Sequence, residues 1–224
     1  MIVGTGCLGR DATNGSRIRE LLEAVRIRRP LLVLGAERDG APAAQDLRGL
    51  RAAGVRAPWA RRDEACRIAA YSGADQVILE PPRLASMDAL CRELFALVGG
   101  HPGLALALAT PAEGTLAAPD RLELVLDDLP GRPVAYWHRP AHAHLLGQRD
   151  VGWLDTLGRR LVGVSLDDVV ERQTGLPPGV GEVDFAPLAG LIGRSVPCVL
   201  DLGPIEEVEL VRLALRTLEE LGFA

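Results

Sequence analysis

Arg160–Leu188 reads RLVGVSLDDVVERQTGLPPGVGEVDFAPL. Its opening part, Leu161–Leu166, has the character of a buried strand and ends on two adjacent carboxylates, Asp167 and Asp168. A long loop punctuated by Pro and Gly follows, closing on Gly-Val-Gly-Glu-Val-Asp-Phe and a helical pattern. A strand that ends in charge and opens into such a loop is how a parallel βα barrel builds its binding mouth.

The same period extends in both directions. Strand-length apolar runs occur at Ile2–Gly6, Leu31–Leu34, Val55–Ala57, Gln76–Leu79, Leu104–Ala109, Val134–Trp137, Leu161–Leu166 and Cys198–Leu202. Helical patterns separate them. After Ser16, a capping residue, Ile18, Leu21, Leu22 and Val25 fall on one helical face. Further helices are expected at about Pro42–Ala53, Arg61–Ser72, Ser86–Val98, Pro119–Leu126, Val151–Leu157, Phe185–Ile192 and Ile205–Leu221. Leu104–Ala109 is apolar throughout, as suits a strand covered on both faces. Regular βα alternation implies a parallel sheet with helices outside. Eight strands favour an α/β fold of the (β/α)8 TIM-barrel type, a compact single domain over residues 1–224. Val55–Ala57 is the weakest of them; without it the alternative is an open or incomplete barrel.

The 224 residues fall slightly under the roughly 250 typical of such barrels. A hydrophobic content of 48% with 4% aromatics makes the core one of Leu, Val, Ala and Ile. Net charge is −5 with no block of one sign, which argues against nucleic acid or an anionic membrane surface as partner. The four cysteines stand singly, without a Cys-x-x-Cys pair, so neither a zinc knuckle nor a disulfide framework is expected. No apolar run approaches membrane-spanning length and no signal-peptide pattern opens the chain; a soluble, cytoplasmic protein is expected, with homo-oligomerisation left open. The chain has no lysine, which excludes a Schiff-base aldolase. No nucleophile elbow for Ser-His-Asp chemistry is present either.

Gly4-Thr-Gly6-Cys-Leu-Gly9 matches the G-x-G-x-x-G pattern after a strand. In a dinucleotide fold the helix must begin within that motif, so that its N-terminus faces the pyrophosphate. Here the next residues, RDATNGS, form turns, and the match reads as a decoy.

The phrase Leu-Pro-Pro-Gly179-Val-Gly181-Glu-Val-Asp184-Phe185 resembles one found after the seventh strand in the xylose isomerase-like barrel family. That family includes sugar phosphate isomerases/epimerases and AP endonuclease family 2 proteins. Arg139-Pro-Ala-His142-Ala-His-Leu-Leu-Gly147 looks like the family's Asp-x-x-His segment after strand six, and Thr5–Gly9 resembles a common opening. The likeness runs best from Gly103 to Leu202. It implies a divalent metal at the barrel mouth, held by a Glu ending strand five, an Asp after strand six, a His ending strand seven and a Glu ending strand eight. Those positions read Ala109, Arg139, Ser165 and Asp201. One carboxylate of the set remains, and a guanidinium, which cannot deprotonate, stands where the metal would sit. A shift of one residue would bring in His138 but not the missing Glu. The resemblance therefore implies the family's barrel with its metal site largely lost.

Residues at the expected C-terminal strand ends are Glu37, Glu80, His138, Arg139, Asp167, Asp168 and Asp201, with His142 and Arg172 in following loops. Glu80 suits a base or ligand, or a salt bridge with Arg83 or a neighbouring loop. Asp167 and Asp168 cannot both face the mouth, because strand side chains alternate; one caps the loop and the other points inward. Family position favours Asp168 as the inward one. His138, His142 and His144 have spacings that could join two imidazoles on a metal, or they are packing and surface residues. Arg139 and Arg172 could grip an anionic ligand. Equally, they could neutralise Asp201 and Asp168 in a network left after metal loss. The catalytic candidates are thus Glu80, His138, Asp168 and Asp201; the substrate-binding candidates are Glu37, Arg139, His142, Asp167 and Arg172.

Two readings follow. In the first, the barrel binds a sugar- or polyol-like small molecule without the usual metal, or is a non-catalytic homologue. In the second, it is a working isomerase, epimerase or lyase with a rebuilt site, and only then would Mn, Mg or Zn serve as cofactor. DNA repair ranks below both, since it needs a multi-metal cluster and a basic face.

Overall fold

A computed structural model describes residues 2–8, 31–34, 52–129, 134–193, 195–202 and 208–223. The apolar runs form eight parallel strands that close into a barrel. In chain order they are β1 (Ile2–Leu8), β2 (Leu31–Leu34), β3 (Gly54–Pro58), β4 (Gln76–Glu80), β5 (Ala105–Ala109), β6 (Ala135–His138) and β7 (Leu161–Leu166). Two short strands, β8 (Asp168–Val170) and β9 (Gln173–Leu176), pair as an antiparallel hairpin outside the barrel. Then β10 (Cys198–Leu200) pairs with both β7 and β1 and closes the ring. The third strand holds: Val55 pairs with Leu32 and Val77, and Arg56 with Val33 and Ile78. β1 runs through Gly4 and Gly6 to Leu8, so these two glycines of the G-x-G-x-x-G match are strand rather than phosphate-cradling turn.

Strand alternation divides the apolar residues into two sets. Leu31, Val33, Ile78, Ala107, Ala109, Trp137 and Val199 form the interior cluster. Leu32, Leu34, Val55, Val77, Leu79, Leu106, Leu108 and Tyr136 face out and pack with residues of the helices. Among the described residues the α-helices are Arg62–Ser72, Met87–Gly100, Pro119–Asp127, Pro140–Leu145, Asp150–Leu157, Phe185–Leu191 and Val208–Glu220. Inside the barrel the small residues of β5 and β7 leave room for one large ring. A Cβ at Gly163 would overlap the Trp137 indole, whose Nε1–H donates to Ser165 Oγ at 3.0 Å.

Two features were not anticipated from the sequence: the short helix Pro140–Leu145 and the β8–β9 hairpin, within a segment expected to be loop. The loop that follows the hairpin is organised by the buried Asp168. Its Oδ2 accepts from the backbone N–H of Gly179 at 2.9 Å and Gly181 at 2.8 Å. Its Oδ1 accepts from Val183 at 2.9 Å and from Val169 at 2.8 Å. Gly181 is obligatory here, because a Cβ would strike the Val169 carbonyl and the Asp168 carboxylate. Asp184 then caps the next helix through Ala186 N–H, and Phe185 packs edge-on against Phe223. Among the described residues no helix is long and apolar enough to cross a membrane. The expected helices at 16–25 and 42–53 lie outside the described residues.

Candidate active site at the barrel mouth

The C-terminal strand ends gather a buried ionic cluster. Arg56 is carried inward on β3 by alternation, flanked across the sheet by Val33 and Ile78. Glu80 ends β4, Arg139 follows β6, Asp167 follows β7 and Asp201 follows β10. Arg56 uses Nη1 on Glu80 Oε1, while Nη2 lies 2.8 Å from Asp201 and donates to Oδ1. Arg139 donates from Nη1 to the same Glu80 Oε1 at 2.8 Å, and from Nη2 to Asp167 Oδ2 at 3.4 Å. Its Nη2 is also 3.7 Å from Asp201 Oδ2. Asp167 is fully buried, Asp201 is 2% exposed and the Glu80 side chain 32%.

Thr110, just past β5, fixes the position of two of these groups. Its Oγ1 accepts from the Arg139 backbone N–H at 3.0 Å, and its carbonyl accepts from His142 Nδ1 at 2.7 Å. The His142 proton is thereby placed on Nδ1, leaving Nε2 as an acceptor. Behind Thr110, its hydroxyl meets Tyr136 Oη at 2.7 Å, Tyr136 meets His138 Nδ1 at 2.7 Å, and His138 Nε2 meets Asp150 at 2.8 Å.

Electrostatics separates the members. Burial would raise the Glu80 carboxyl, yet Arg56 and Arg139 outweigh it and hold the pKa down at about 2. Burial pushes Asp167 up to about 6, with Asp201 adding and Arg139 opposing. His142 is driven down to about 3 by burial and then by Arg139, so it is a neutral imidazole. For Arg56, burial is overcome by Asp201 and Glu80, and its pKa is raised further. Above the cluster lies a cavity of about 250 Å³ lined by Arg56, Glu80, Arg139, His142, Thr174, Gly175, Asp201 and Leu202. The β8–β9 hairpin forms one wall, tied down by Gly175 N–H on Asp167 Oδ2 at 3.1 Å.

Of the residues expected from the sequence, Glu80, Arg139, His142, Asp167 and Asp201 meet here. Glu80 pairs with the two arginines, whereas Arg83 pairs with Glu113. The two aspartates divide as alternation requires but in the opposite sense: Asp167 points inward, and Asp168 is spent on the loop amides. That corrects the placement of Asp168 at the mouth. His138 also turns away from the mouth, since it shares the outward face of β6 with Tyr136 and is held between Tyr136 and Asp150. His144 reaches Glu182 at 3.2 Å, so the three histidines do not converge. Arg172 is exposed at the hairpin tip. Glu37 lies outside the described residues. The member the sequence reading missed is Arg56; an arginine inside an otherwise apolar strand, Val55-Arg56-Ala57, was the signal.

Among the described residues, the positions that the resemblance assigns to metal ligands lack a donor or are otherwise engaged. Ala109 offers no donor atom, the Ser165 hydroxyl is taken by Trp137, and the Arg139 cation lies among the carboxylates. Among the described residues no three His, Cys, Asp or Glu side chains are grouped to hold a metal.

No protein-family model matches the chain, and no curated protein matches its sequence. Solved structures match over nearly its whole length. The probable 3-DHS dehydratase AsbF of Bacillus anthracis superposes with a TM-score of 0.74 at 9% identity, covering 98% of this chain and 99% of that one. The fold is a closed parallel βα barrel like that of these structures. Endonuclease IV of Thermus thermophilus gives 0.70 at 17% identity, covering 97% and 99%. The IOLI protein, solved with a bound zinc atom, gives 0.71 at 14% identity, covering 98% of each chain. Identities this low establish the architecture and leave the chemistry to the residues of the mouth.

Proposed function

We propose that this chain is a divergent xylose isomerase-like barrel that binds a small sugar- or polyol-like molecule at its mouth without a metal. The observation that carries the reading is the Arg139 guanidinium among Glu80, Asp167 and Asp201. It supplies, as part of the chain, the positive charge that a divalent ion would bring. The cavity of about 250 Å³ falls below the roughly 300–1,000 Å³ of drug-sized sites and suits a ligand of monosaccharide size. Its walls are mostly polar, which favours a hydroxyl-bearing ligand over an apolar one.

The test is metal analysis of protein purified without chelator, together with thermal unfolding in Mn²⁺, Mg²⁺ or Zn²⁺ and in a panel of sugars and polyols. A ligand that binds only the folded state raises stability by mass action. The expected result is no stoichiometric metal, no shift with any ion, and a shift with members of the panel. Stoichiometric metal, or an ion-dependent shift, overturns the reading.

A second reading is an isomerase or epimerase with a rebuilt site, in which Glu80 and Asp201 line the cavity and Asp167, raised by burial to about 6, lies beneath them against Arg139. Incorporation of solvent deuterium at a ligand C–H, lost in Asp167→Asn, would support it over simple binding.

A further inference from the structure

We propose that Asp150, His138 and Tyr136 are positioning residues of the mouth: a one-way chain of hydrogen bonds through them turns the Thr110 hydroxyl and so sets Arg139 and His142. The proposal deepens the small-ligand reading above and rests on it for the binding consequence alone. Both ends of the chain fix its direction. An ionised carboxylate can only accept, so His138 Nε2 carries the hydrogen it shares with Asp150 Oδ1 at 2.8 Å. A backbone N–H can only donate, and that of Arg139 donates to Thr110 Oγ1 at 3.0 Å. Between these ends, the bare His138 Nδ1 accepts from the Tyr136 hydroxyl at 2.7 Å, and Tyr136 Oη accepts from the Thr110 hydroxyl at 2.7 Å. The direct approach of Thr110 to His138 is longer, at 3.4 Å. Burial holds the Tyr136 phenol well above its usual range, against the pull of Thr110, so the hydrogen stays on Oη.

The opposite direction fails at both ends. It would turn a bare Nε2 toward the Asp150 carboxylate, and it would strip the Thr110 hydroxyl hydrogen of its acceptor at a fully buried residue. In the observed direction each bond polarises the next. One helix supports the two rings. Asp150 and Trp153 stand three residues apart on Asp150–Leu157, hence on one face. Trp153 stacks on Tyr136, with centroids 6.1 Å apart and planes 12° from parallel. At the inner end, the Thr110 carbonyl accepts from His142 Nδ1 at 2.7 Å, and the Arg139 carbonyl accepts from the His142 backbone N–H at 3.0 Å. A turn of Thr110 therefore moves Arg139 and His142 together. Those two line the cavity, whereas Asp150, His138 and Tyr136 do not.

The experiment reads histidine rings and backbone amides by nitrogen-15 NMR and binding by calorimetry with xylose, glucose, xylitol and sorbitol. In the unaltered protein His138 is expected as the Nε2–H tautomer and His142 as the Nδ1–H tautomer, a reading that needs no variant. Asp150→Ala should give His138 a mixture of tautomers and shift the Arg139 amide and His142 ring signals. Whichever of the four compounds binds the unaltered protein should bind this variant about fivefold or more weaker. Asp155→Ala, exposed on the same helix, should move none of these. Thr110→Ser, which keeps the hydroxyl, should retain signals and affinity, and Thr110→Val should lose both. His138 as the Nδ1–H tautomer overturns the proposal, as do unchanged Arg139 and His142 signals or unchanged affinity in Asp150→Ala and Thr110→Val. No binding of any of the four compounds to the unaltered protein overturns the small-ligand reading alone; the ring and amide signals still decide the chain.

Discussion

Arg139 and Arg56 reach the same atom, Oε1 of Glu80, from opposite sides of that carboxylate's strand: β3 on one side, the end of β6 on the other. One carboxylate oxygen bridging two guanidiniums makes the mouth a cross-linked unit rather than a set of separate ion pairs. Glu80 and Asp201 then depend on Arg56, and Glu80, Asp167 and Asp201 on Arg139.

Removing Arg139 should therefore cost more than a surface charge would. Arg139→Ala leaves Asp167 and Asp201 buried with one cation between them, and loss of one partner from a buried pair costs about 3–5 kcal/mol. The part exposure of Glu80 places the expected loss toward the lower end. Urea unfolding measures it. Arg139→Asp should in addition acquire stabilisation by Mn²⁺ or Zn²⁺, seen as a metal-dependent rise in melting temperature that is absent without the substitution.

Opposite pH slopes are expected for Asp167 and His142. The Asp167 carboxyl is raised to about 6 from 3.8, so the folded state holds its proton more tightly. Its contribution therefore falls as pH rises from about 4 to 6, and Asp167→Asn should gain stability relative to the parent across that window. His142 is lowered to about 3 from 6.5, so the unfolded chain takes up the proton first. Its contribution falls as pH drops below 6.5, and His142→Gln should gain on the parent in that direction. Denaturation midpoints at pH 4, 5, 6 and 7 separate the two; slopes of the same sign would contradict the assignment.

Asp168→Ala removes the acceptor for four backbone amides of the loop. The Val169 bond is buried and those of Gly179, Gly181 and Val183 are part-buried, so the loss of their acceptor costs roughly 2–4 kcal/mol in all. Amide hydrogen exchange at Gly181 and Val183 should accelerate well before that at the β6–β7 pair. Uniform acceleration of both would place Asp168 outside the loop's local stability.

Gly163→Ala should destabilise by about 1–3 kcal/mol, because the new methyl group overlaps the Trp137 ring. Combining it with Trp137→Leu should recover part of the loss, giving a coupling of about 1 kcal/mol or more in a double-mutant cycle. Strict additivity would mean that the ring moves aside freely.

The fold was legible because periodicity reports which face of an element is covered. Leu31–Leu34 and Leu161–Leu166 fall on their observed bounds, and Val55–Ala57 lies within β3. The site was only half legible. Strand-end position identified Glu80, Arg139 and Asp201, since a barrel directs those side chains to the mouth. It could not decide between Asp167 and Asp168, because two adjacent carboxylates differ by a single step of the pleat, and family position pointed to the wrong one. Arg56 was passed over because a three-residue apolar run was judged by its strength as a strand. His138 also stands at a strand end, yet it shares the outward face of β6 with Tyr136, because one residue along a strand reverses the face.

The phrase that carries the likeness to the xylose isomerase-like barrels is made of glycines, an aspartate cap and a buried phenylalanine, all bound to Asp168 or to the helix that follows. Nothing in it touches the cavity. A scaffold's most readable signature can thus be a folding instruction, inherited on its own account. The loop's stability calls for such a phrase whatever residues line the cavity beside it. Kinship inferred from such a phrase dates the architecture and is silent about the trade now practised inside it.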